Sequence, residues 1–331
     1  MQITELVSRQ QDGLRCEVCQ WHCVLQPGQD GRCLVRRREG DEIVVLSDTY
    51  ISAAQLSPIE DYGFRHFFPD AMVFSLGSWG TPFPAQQDAA HYALLPADPA
   101  KQRALDAERA VKFAQERLAR GVIWTYNDPV VNHEYLLEGM RLARAGSRVT
   151  GVVTGGFWTR AALDQIGPYL DGINLYVYGF SKEAYAKLTG VSEWKGVLAG
   201  AERAVKHWGC HLEITTPIST GINDSSGELE AIAKWLLATL GADIPWRIIP
   251  AQDTDTAAAN AARQVAQATG LKHVYGTDAH ETTRCPGCGW AVVERREGQS
   301  KIIGVTDGLC DNCATQLYLR TSLFKKRPQA T

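Results

Sequence analysis

Eight of the nine cysteines in this 331-residue chain fall into two clusters, and this clustering constrains the fold more than any other feature. The first cluster is a CxxCxxxC run with a fourth cysteine after nine further residues, and the second consists of two CxxC pairs. The members are Cys16, Cys19, Cys23 and Cys33 in the first cluster and Cys285, Cys288, Cys310 and Cys313 in the second. In a reducing compartment such clusters bind metal more often than they form disulfides. Metal sites are therefore expected near both ends, and the ninth cysteine, Cys210, is expected to be a buried small side chain.

The second cluster predicts a structural zinc site. Its first pair reads Cys285-Pro-Gly-Cys288-Gly289, and two such knuckles present four thiolates to one tetrahedral ion, as in a zinc ribbon. A four-cysteine site of this kind keeps no open coordination position. We therefore expect Zn²⁺ at Cys285, Cys288, Cys310 and Cys313 to stabilise the fold without taking part in a reaction.

The first cluster leaves two interpretations open. Four thiolates can hold either Zn²⁺ or a [4Fe-4S] cluster. Residues 1–48 are too short and too polar to fold unaided, so a bound ion is expected to replace the missing core. Structural zinc at Cys16, Cys19, Cys23 and Cys33 is the preferred prediction, and an iron–sulfur cluster is the alternative. His22 is expected to face solvent and not to replace a thiolate.

The middle of the chain alternates short apolar runs with longer amphipathic stretches, a pattern typical of βα units around a parallel sheet. Strands are predicted at residues 71–76, 121–124, 148–153, 172–177, 211–216, 246–249 and 273–275. Helices are predicted at residues 101–120, 130–145, 159–166, 181–188, 195–207, 227–240 and 256–269. Such a series predicts a complete or partial α/β barrel whose functional face lies at the C-terminal ends of the strands.

Three regions follow from these patterns: a four-cysteine metal-binding module at residues 1–48, the barrel at 49–278, and a zinc-ribbon-like module at 279–331. The last of these ends in basic residues, from Arg320 onward, that are expected to fray. The net charge of −3 at pH 7 gives no field that would attract nucleic acid, which is therefore not an expected partner. Neither a membrane-length apolar run nor a signal peptide is recognisable, so a cytoplasmic protein without a membrane partner is expected.

A set of short motifs occurs in a fixed order along nearly the whole chain. Besides the cysteine-containing stretch 14–33, they are Ser57-Pro-Ile-Glu60, Phe74-Ser-Leu-Gly77, Thr125-Tyr-Asn-Asp-Pro129, Glu134-Tyr135, Pro168-Tyr-Leu-Asp171, Gly179-Phe180, Gly221-Ile-Asn-Asp224, Asp243-Ile-Pro-Trp246 and Cys285-Pro-Gly-Cys288. The set resembles radical SAM proteins of the AmmeMemoRadiSam type, relatives of pyruvate formate-lyase activating enzymes. The resemblance implies a partial (β/α)6 barrel that binds a [4Fe-4S] cluster and S-adenosylmethionine at its C-terminal face.

The chain departs from this family at the ligands of that cluster. The family pattern G-C-x-x-x-C-x-x-C follows the first strand, and Thr81, Ala85 and Asp88 stand at its three cysteine positions here. A hydroxyl or a methyl group cannot replace the thiolates that hold such a cluster. Two further pocket positions of the family are changed, to Tyr176 and Tyr178. The sequence therefore predicts a retained barrel with rewritten pocket chemistry.

The turns after the second and third strands face the bound cofactor in the family, so this resemblance implies a site for S-adenosylmethionine or another small molecule there. Its candidate residues are Thr125, Tyr126, Asn127, Thr154, Gly155 and Gly156. The candidate catalytic residues are Asp88, His91, Asp128 and Glu134, with His66 or His133 as further metal ligands. The alternatives are a solvated polar loop for Asp88 and His91, and helix-start carboxylates for Asp128 and Glu134.

Three functions remain compatible with these features. The preferred hypothesis is a non-catalytic descendant, a pseudoenzyme that binds a small molecule or a protein partner at the barrel mouth as a scaffold or regulator. The second is a redox or S-adenosylmethionine-dependent enzyme that uses an iron–sulfur cluster on the N-terminal cysteines. The third is a non-radical enzyme in the rewritten pocket, because one fold can host unrelated chemistries.

Overall fold

The structure is a computed structural model that describes residues 2–87, 92–252, 254–296 and 298–323. The N-terminal region forms two antiparallel sheets of three strands each. Its strands are β1 (Gln2–Ile3), β2 (Val7–Gln10), β3 (Gly13–Cys16), β4 (Val24–Leu25), β5 (Arg36–Glu39) and β6 (Glu42–Val45). The apolar side chains Leu14, Val18, Leu25 and Ile43 pack between the sheets. A core this small contributes little stability by burial alone.

An eight-stranded sheet forms the centre of the molecule. The strands of the sheet are β8 (Ala53–Pro58), β9 (Met72–Gly77), β11 (Gly121–Trp124), β12 (Val149–Thr154), β13 (Gly172–Tyr176), β14 (His211–Ile218), β15 (Trp246–Pro250) and β16 (Val274–Tyr275). Two short strands of the same part of the chain, β7 (Tyr50–Ile51) and β10 (Arg103–Ala104), do not belong to it. The order across the sheet is β16-β15-β14-β13-β12-β11-β9-β8, and β7 pairs with β10 outside it. Every neighbouring pair from β9 to β16 is parallel, whereas β8 runs antiparallel to β9.

In the part of the chain that the structure describes, seven α-helices connect the parallel strands and cover the outside of the sheet. They are α1 (Ala107–Glu116), α2 (His133–Ala145), α3 (Arg160–Ile166), α4 (Lys182–Thr189), α5 (Lys195–Lys206), α6 (Ser226–Thr239) and α7 (Thr256–Gln267). Within the described ranges, β8 and β16 form opposite edges of the sheet and do not pair with each other, so the sheet is a partial barrel. The predicted α/β class is confirmed, and each predicted strand and helix is present, most of them with shifted ends and β11 with the predicted bounds.

Helix α1 begins six residues later than the predicted start at residue 101. Asp106 caps it by accepting a hydrogen bond from the backbone N–H of Arg109, and the short strand β10 occupies the stretch just before it. The edge strand β8 was not predicted. Three adjacent positions within it are exposed, so it lacks the continuous apolar run that marks the buried strands.

The N-terminal end of the barrel is closed by the segment between β8 and β9. Its aromatic residues Phe64, Phe67 and Phe68 are buried against the first residues of the parallel strands. The first residue of β13 has to be small, because a Cβ atom added to Gly172 would lie 2.7 Å from the ring of Phe67. This closure leaves the opposite end of the strands as the barrel mouth.

The C-terminal region begins with the antiparallel sheet β17 (His280–Arg284), β18 (Ala291–Arg296) and β19 (Gln299–Ile302), followed by the hairpin β20 (Val305–Thr306) and β21 (Leu309–Cys310). The chain then returns to the closed end of the barrel. The expectation that the chain frays from Arg320 is wrong for Arg320 itself, whose guanidinium donates to Asp171 Oδ1 at 3.0 Å. The basic residues Lys325, Lys326 and Arg327 lie outside the described residues. No described helix has both the length and the apolar character to cross a membrane.

Candidate functional site

The C-terminal cysteines converge on one point. Their four sulfur atoms all lie within 4.8 Å of one another. The Cys285–Cys313 and Cys288–Cys310 Sγ distances are 3.6 and 3.7 Å. A tetrahedral ion with Zn–S bonds of about 2.3 Å requires sulfur atoms about 3.8 Å apart. The predicted four-cysteine group is thus a metal-binding arrangement that fits a single tetrahedral ion.

The knuckle turns explain why these thiols meet. Gly289 has a φ of +75°, a conformation that favours glycine, and its N–H donates to the carbonyl oxygen of Cys285. In the second knuckle the N–H of Ala314 donates to Cys310 in the same way. Hydrogen bonding to Thr315 lowers the pKa of Cys313 to about 6, which favours the thiolate form that binds metal.

The N-terminal cysteines surround a small, largely apolar cavity instead. Cys16, Cys19, Cys23 and Cys33 line one cavity of about 10 Å³ together with Val18, Leu25, Gly31, Arg36 and Val131. Three of these thiols are buried, and Cys23 is partly buried. His22 does not line the cavity, and its Nδ1 atom lies 2.6 Å from the carboxylate of Glu17.

Glu134, a candidate catalytic residue, pairs with the N-terminal region. Its two carboxylate oxygens accept hydrogen bonds from Arg36, Nη1 to Oε1 at 3.0 Å and Nη2 to Oε2 at 2.5 Å. Burial opposes ionisation of this carboxyl group, but the Arg36 guanidinium outweighs burial and holds the pKa of Glu134 below its usual range. Glu134 is absent from the described lining of the barrel mouth, and its position on the first turn of α2 is the predicted helix-start position.

The barrel mouth contains a cavity of about 250 Å³. Its lining residues are Gly80, Thr81, Gln86, Tyr92, Ala93, Thr125, Tyr126, Asn127, Asp128, Val153, Thr154, Gly155, Tyr176 and Tyr178. Five of the six predicted ligand-binding residues are therefore brought together around one space, and Gly156 is the exception. Parallel strands end at the same edge of a sheet, which is why turns distant in sequence meet here.

Asp128 joins the turns after β11 and β12. Its Oδ1 atom accepts hydrogen bonds from the N–H of Val130 at 3.1 Å and the hydroxyl of Thr154 at 2.9 Å. Its Oδ2 atom accepts one from the N–H of Gly155 at 2.9 Å. Burial raises the pKa of Asp128, whereas these three donors stabilise its ionised form. Asp128 thus caps the turn that follows it and also presents a carboxylate to the cavity.

Tyr126 adopts a left-handed backbone conformation with a φ of +73°, which is uncommon for a residue other than glycine. Its hydroxyl lies 2.8 Å from that of Ser75, which in turn accepts a hydrogen bond from Tyr62 at 2.6 Å. Burial raises the pKa of Tyr126 to about 12, so the phenol stays neutral. Tyr62 and Ser75 did not emerge from the sequence, because a turn conformation that no motif specifies brings these hydroxyls together.

The residues around the mouth do not fit the iron–sulfur cluster that the family resemblance implies. Thr81 lines the cavity, and no thiol lines it within the described parts of the chain. Phe83 is buried next to Gly155 of the lining, and a Cβ atom added to Gly155 would lie 2.3 Å from its ring. Ala85 lies on the short 3-10 helix Pro84–Gln86. The candidates Asp88 and His91 lie outside the described residues.

The two histidines considered as further metal ligands are held elsewhere. His66 lies in the segment that closes the opposite end of the barrel, where its ring nitrogens contact the carbonyl oxygen of Tyr318 at 2.6 Å and the hydroxyl of Tyr275 at 2.7 Å. His133 Nε2 lies 2.7 Å from Gln165 Oε1. Neither histidine lines the mouth cavity.

No protein-family model matches the chain, but it is similar to several individual proteins. The chain is 25% identical over 307 residues to the uncharacterized protein MJ0808 of Methanocaldococcus jannaschii, across 88% of this chain and 90% of that protein. It is similar to a radical SAM methyltransferase from Sphaerobacter thermophilus, with 17% identity and a TM-score of 0.49 over 63% of this chain and 67% of the other. It is also similar to a domain of a pyruvate-formate lyase-activating enzyme from Bacteroides vulgatus, with 15% identity and a TM-score of 0.42 over 48% of this chain and 99% of the other. The similarity to QueE from Escherichia coli has 15% identity and a TM-score of 0.41 over 69% of this chain and 92% of the other.

Proposed function

We propose that this protein binds a small molecule at the barrel mouth as a ligand-binding scaffold or regulator and does not cleave S-adenosylmethionine. The observation that carries the proposal is the lining of the 250 Å³ cavity, in which Thr81 occupies the position of a cluster cysteine in the resembled family. Phe83 is buried beside this cavity, where it packs against Phe157 and Tyr178. An aromatic mouth with no thiol in its described lining supports ligand binding and offers no ligand for a reducing cluster there.

The lining also favours one class of ligand. Four tyrosines contribute to it, in two contacting pairs with ring centroids 5.7 Å apart for Tyr92 and Tyr126 and 6.0 Å apart for Tyr176 and Tyr178. Asp128 adds a carboxylate, and no lysine or arginine belongs to the described lining. Aromatic faces next to a carboxylate attract cations. The cavity is smaller than the roughly 300–1,000 Å³ of drug-sized sites. We therefore propose a small organic cation as the ligand.

Calorimetric titration with choline and with its uncharged carbon isostere, 3,3-dimethylbutanol, tests this ligand class. The isostere has the same shape without the charge, so choline is expected to bind at least about tenfold more tightly. Tyr178→Leu should weaken choline binding, whereas the matched variant Tyr178→Phe, which keeps an aromatic face, should preserve it. Equal affinity for the two compounds, or no binding of either, would contradict a cation site.

The non-catalytic part of the proposal has a separate test. Protein purified without oxygen is incubated with dithionite and S-adenosylmethionine, and 5′-deoxyadenosine is measured by mass spectrometry. A radical SAM enzyme that carries the full cysteine pattern serves as the positive control. We expect no 5′-deoxyadenosine above the protein-free background, and its formation at rates that depend on this protein would overturn the proposal.

For the C-terminal cysteines we propose zinc. The Sγ distances of 3.6 and 3.7 Å support this assignment, because they match the edge of a zinc–thiolate tetrahedron. Cys288→Ser should remove one zinc per chain, as measured by inductively coupled plasma mass spectrometry. The matched variant Cys210→Ser, which changes a thiol buried against the carbonyl oxygen of Leu170, should keep it.

A second candidate function, a redox protein, is favoured by the contact between the N-terminal cysteines and the barrel mouth. A Cβ atom added to Gly80, which lines the mouth cavity, would lie 3.1 Å from the carbonyl oxygen of Cys33. A redox-active cluster on these cysteines would therefore lie beside the ligand. A ligand-dependent shift in the reduction potential of such a cluster would favour this candidate over a purely structural role.

A further inference from the structure

We infer that Cys16, Cys19, Cys23 and Cys33 hold a four-iron iron–sulfur cluster and not a zinc ion. This inference does not depend on what binds at the barrel mouth. It depends on the size of the space between the four thiols, on the side chains that enclose that space, and on a comparison with the other four-cysteine group of the same chain.

The space between the N-terminal thiols is too large for zinc. A water-sized sphere fits between these thiols, and its centre can occupy a volume of about 10 Å³. Four thiolates that coordinate one zinc ion at about 2.3 Å leave no such void between them. In a four-iron cluster each thiolate binds a different iron, so the sulfurs stand apart around a central body.

The C-terminal cysteines provide an internal reference for a zinc-sized site. Their four sulfur atoms all lie within 4.8 Å of one another. Within the described ranges, no three of the N-terminal thiols come that close together. Both groups contain four cysteines in one chain, so the difference lies in how the backbone spaces them. In the C-terminal group the sulfur pairs Cys285–Cys313 and Cys288–Cys310 join the two knuckles at 3.6 and 3.7 Å, whereas Cys33 approaches its partners from a separate loop.

The surroundings of the N-terminal cavity also suit a redox cluster. Val18, Leu25 and Val131 enclose it, and Cys16, Cys19 and Cys33 are buried. In the C-terminal group, by contrast, Cys288 and Cys313 are exposed. An apolar shell limits access of water and oxygen to a cluster and influences its reduction potential.

Arg36 places a positive charge at the wall of the same cavity. Its side chain is 2% exposed and its Nε atom donates to the carbonyl oxygen of Val131 at 3.1 Å. Four thiolates around a cluster carry net negative charge, and a buried guanidinium beside them offsets part of it. Since Val131 and Asp128 belong to the same turn, the proposed cluster lies one turn away from the mouth cavity.

Metal and sulfide analysis of protein purified without oxygen tests the inference. We expect about four iron atoms, about four acid-labile sulfides and about one zinc per chain, with broad visible absorbance that dithionite bleaches. Two zinc ions per chain with neither iron nor sulfide, even after anaerobic reconstitution with iron and sulfide, would overturn it.

Paired variants assign each metal to its cluster of cysteines. Cys33→Ser should lower the iron and sulfide content at least about twofold and keep the zinc. Cys313→Ser should lower the zinc content and keep the iron and sulfide. Retained zinc in Cys33→Ser also reports that the rest of the chain has folded. Full iron and sulfide content in Cys33→Ser, or their loss in Cys313→Ser, would contradict the assignment.

Discussion

Arg36 of strand β5 and Glu134 of helix α2 form a buried ion pair in which both carboxylate oxygens accept hydrogen bonds from one guanidinium group. The pair joins the N-terminal region to the barrel across 98 residues of sequence. The side chain of Arg36 is 2% exposed and that of Glu134 is 13% exposed, so water screens the pair little. This contact holds the N-terminal cysteines next to the turn that begins at Asp128.

Replacement of Arg36 should destabilise the protein strongly. Arg36→Gln leaves the carboxylate of Glu134 buried without its partner, and the loss of one partner of a buried pair costs about 3–5 kcal/mol. Urea denaturation measures the free energy of unfolding. Arg37→Gln is the matched control, because Arg37 pairs with Asp30 at an exposed position and should contribute at most about 1 kcal/mol. An equal decrease in the free energy of unfolding in the two variants would show that the buried pair stabilises the protein no more than the exposed pair does.

Phe67 should be equally important at the closed end of the barrel. Its side chain is fully buried, and Phe67→Ala should reduce the free energy of unfolding by about 3–5 kcal/mol because it leaves a cavity in a packed core. Phe113→Ala is the comparison, since Phe113 is 43% exposed and the loss there should be clearly smaller. A comparable loss in both variants would argue against the role of Phe67 in closing the barrel.

The regular elements of this fold could be predicted from the sequence, because their apolar periodicities reflect burial against a common sheet. Strand β11, for example, is buried at all four positions and has no polar residue in its sequence Gly-Val-Ile-Trp. The segment that carries Phe64, Phe67 and Phe68 could not be predicted in the same way. It is irregular, and its place is determined by glycines such as Gly172 that lie more than 100 positions further along the chain.

The sequence predicts those site residues whose positions follow from the strand topology. It does not predict which distant side chains form ion pairs or hydrogen bonds with each other. Turn residues such as Thr125 and Thr154 were identified because parallel strands end at one edge of the sheet. The partner of Glu134 was not identified, since nothing near Glu134 in sequence marks Arg36 as its partner. Tyr176 and Tyr178 were identified as pocket positions through the family resemblance, and alternation along β13 into the next turn is an independent signal that places them on the same side of the sheet.

A methyl group at position 155 should disturb the packing of Phe83 next to the mouth cavity. A Cβ atom there would lie 2.3 Å from the ring of Phe83, so Gly155→Ala should displace this ring and cost about 1–3 kcal/mol of stability. Gly227→Ala is the matched control, because no atom lies within 4 Å of a Cβ at that helical position, and it should be neutral or stabilising by up to about 1 kcal/mol. Differential scanning calorimetry compares the two, and an unchanged melting temperature in Gly155→Ala would contradict the predicted steric conflict.

The pH dependence of stability should report the buried histidine His273. Burial lowers its pKa from 6.5 to about 4, and its neighbours include the ring of His66 at a centroid distance of 4.5 Å. The charged groups that act on it are Asp243, Lys272, Glu213 and Arg295. Below pH 6.5 the unfolded chain protonates this imidazole and the folded chain does not, until the pH approaches 4. The stability that His273 contributes is therefore fully present above pH 6.5 and is lost as the pH falls toward 4.

Removal of this imidazole should flatten the acid side of the stability profile. One proton taken up on unfolding corresponds to at most about 1.4 kcal/mol per pH unit, so His273→Gln should reduce the slope between pH 4 and 6.5 by up to that amount. Urea titrations at a series of pH values measure the slope. His207→Gln, at an exposed position after α5, should leave it unchanged. Because both variants keep the same carboxylates, the difference between their slopes reports His273 together with its effect on the neighbouring imidazole of His66, and parallel profiles for the two variants would contradict a neutral buried imidazole at position 273.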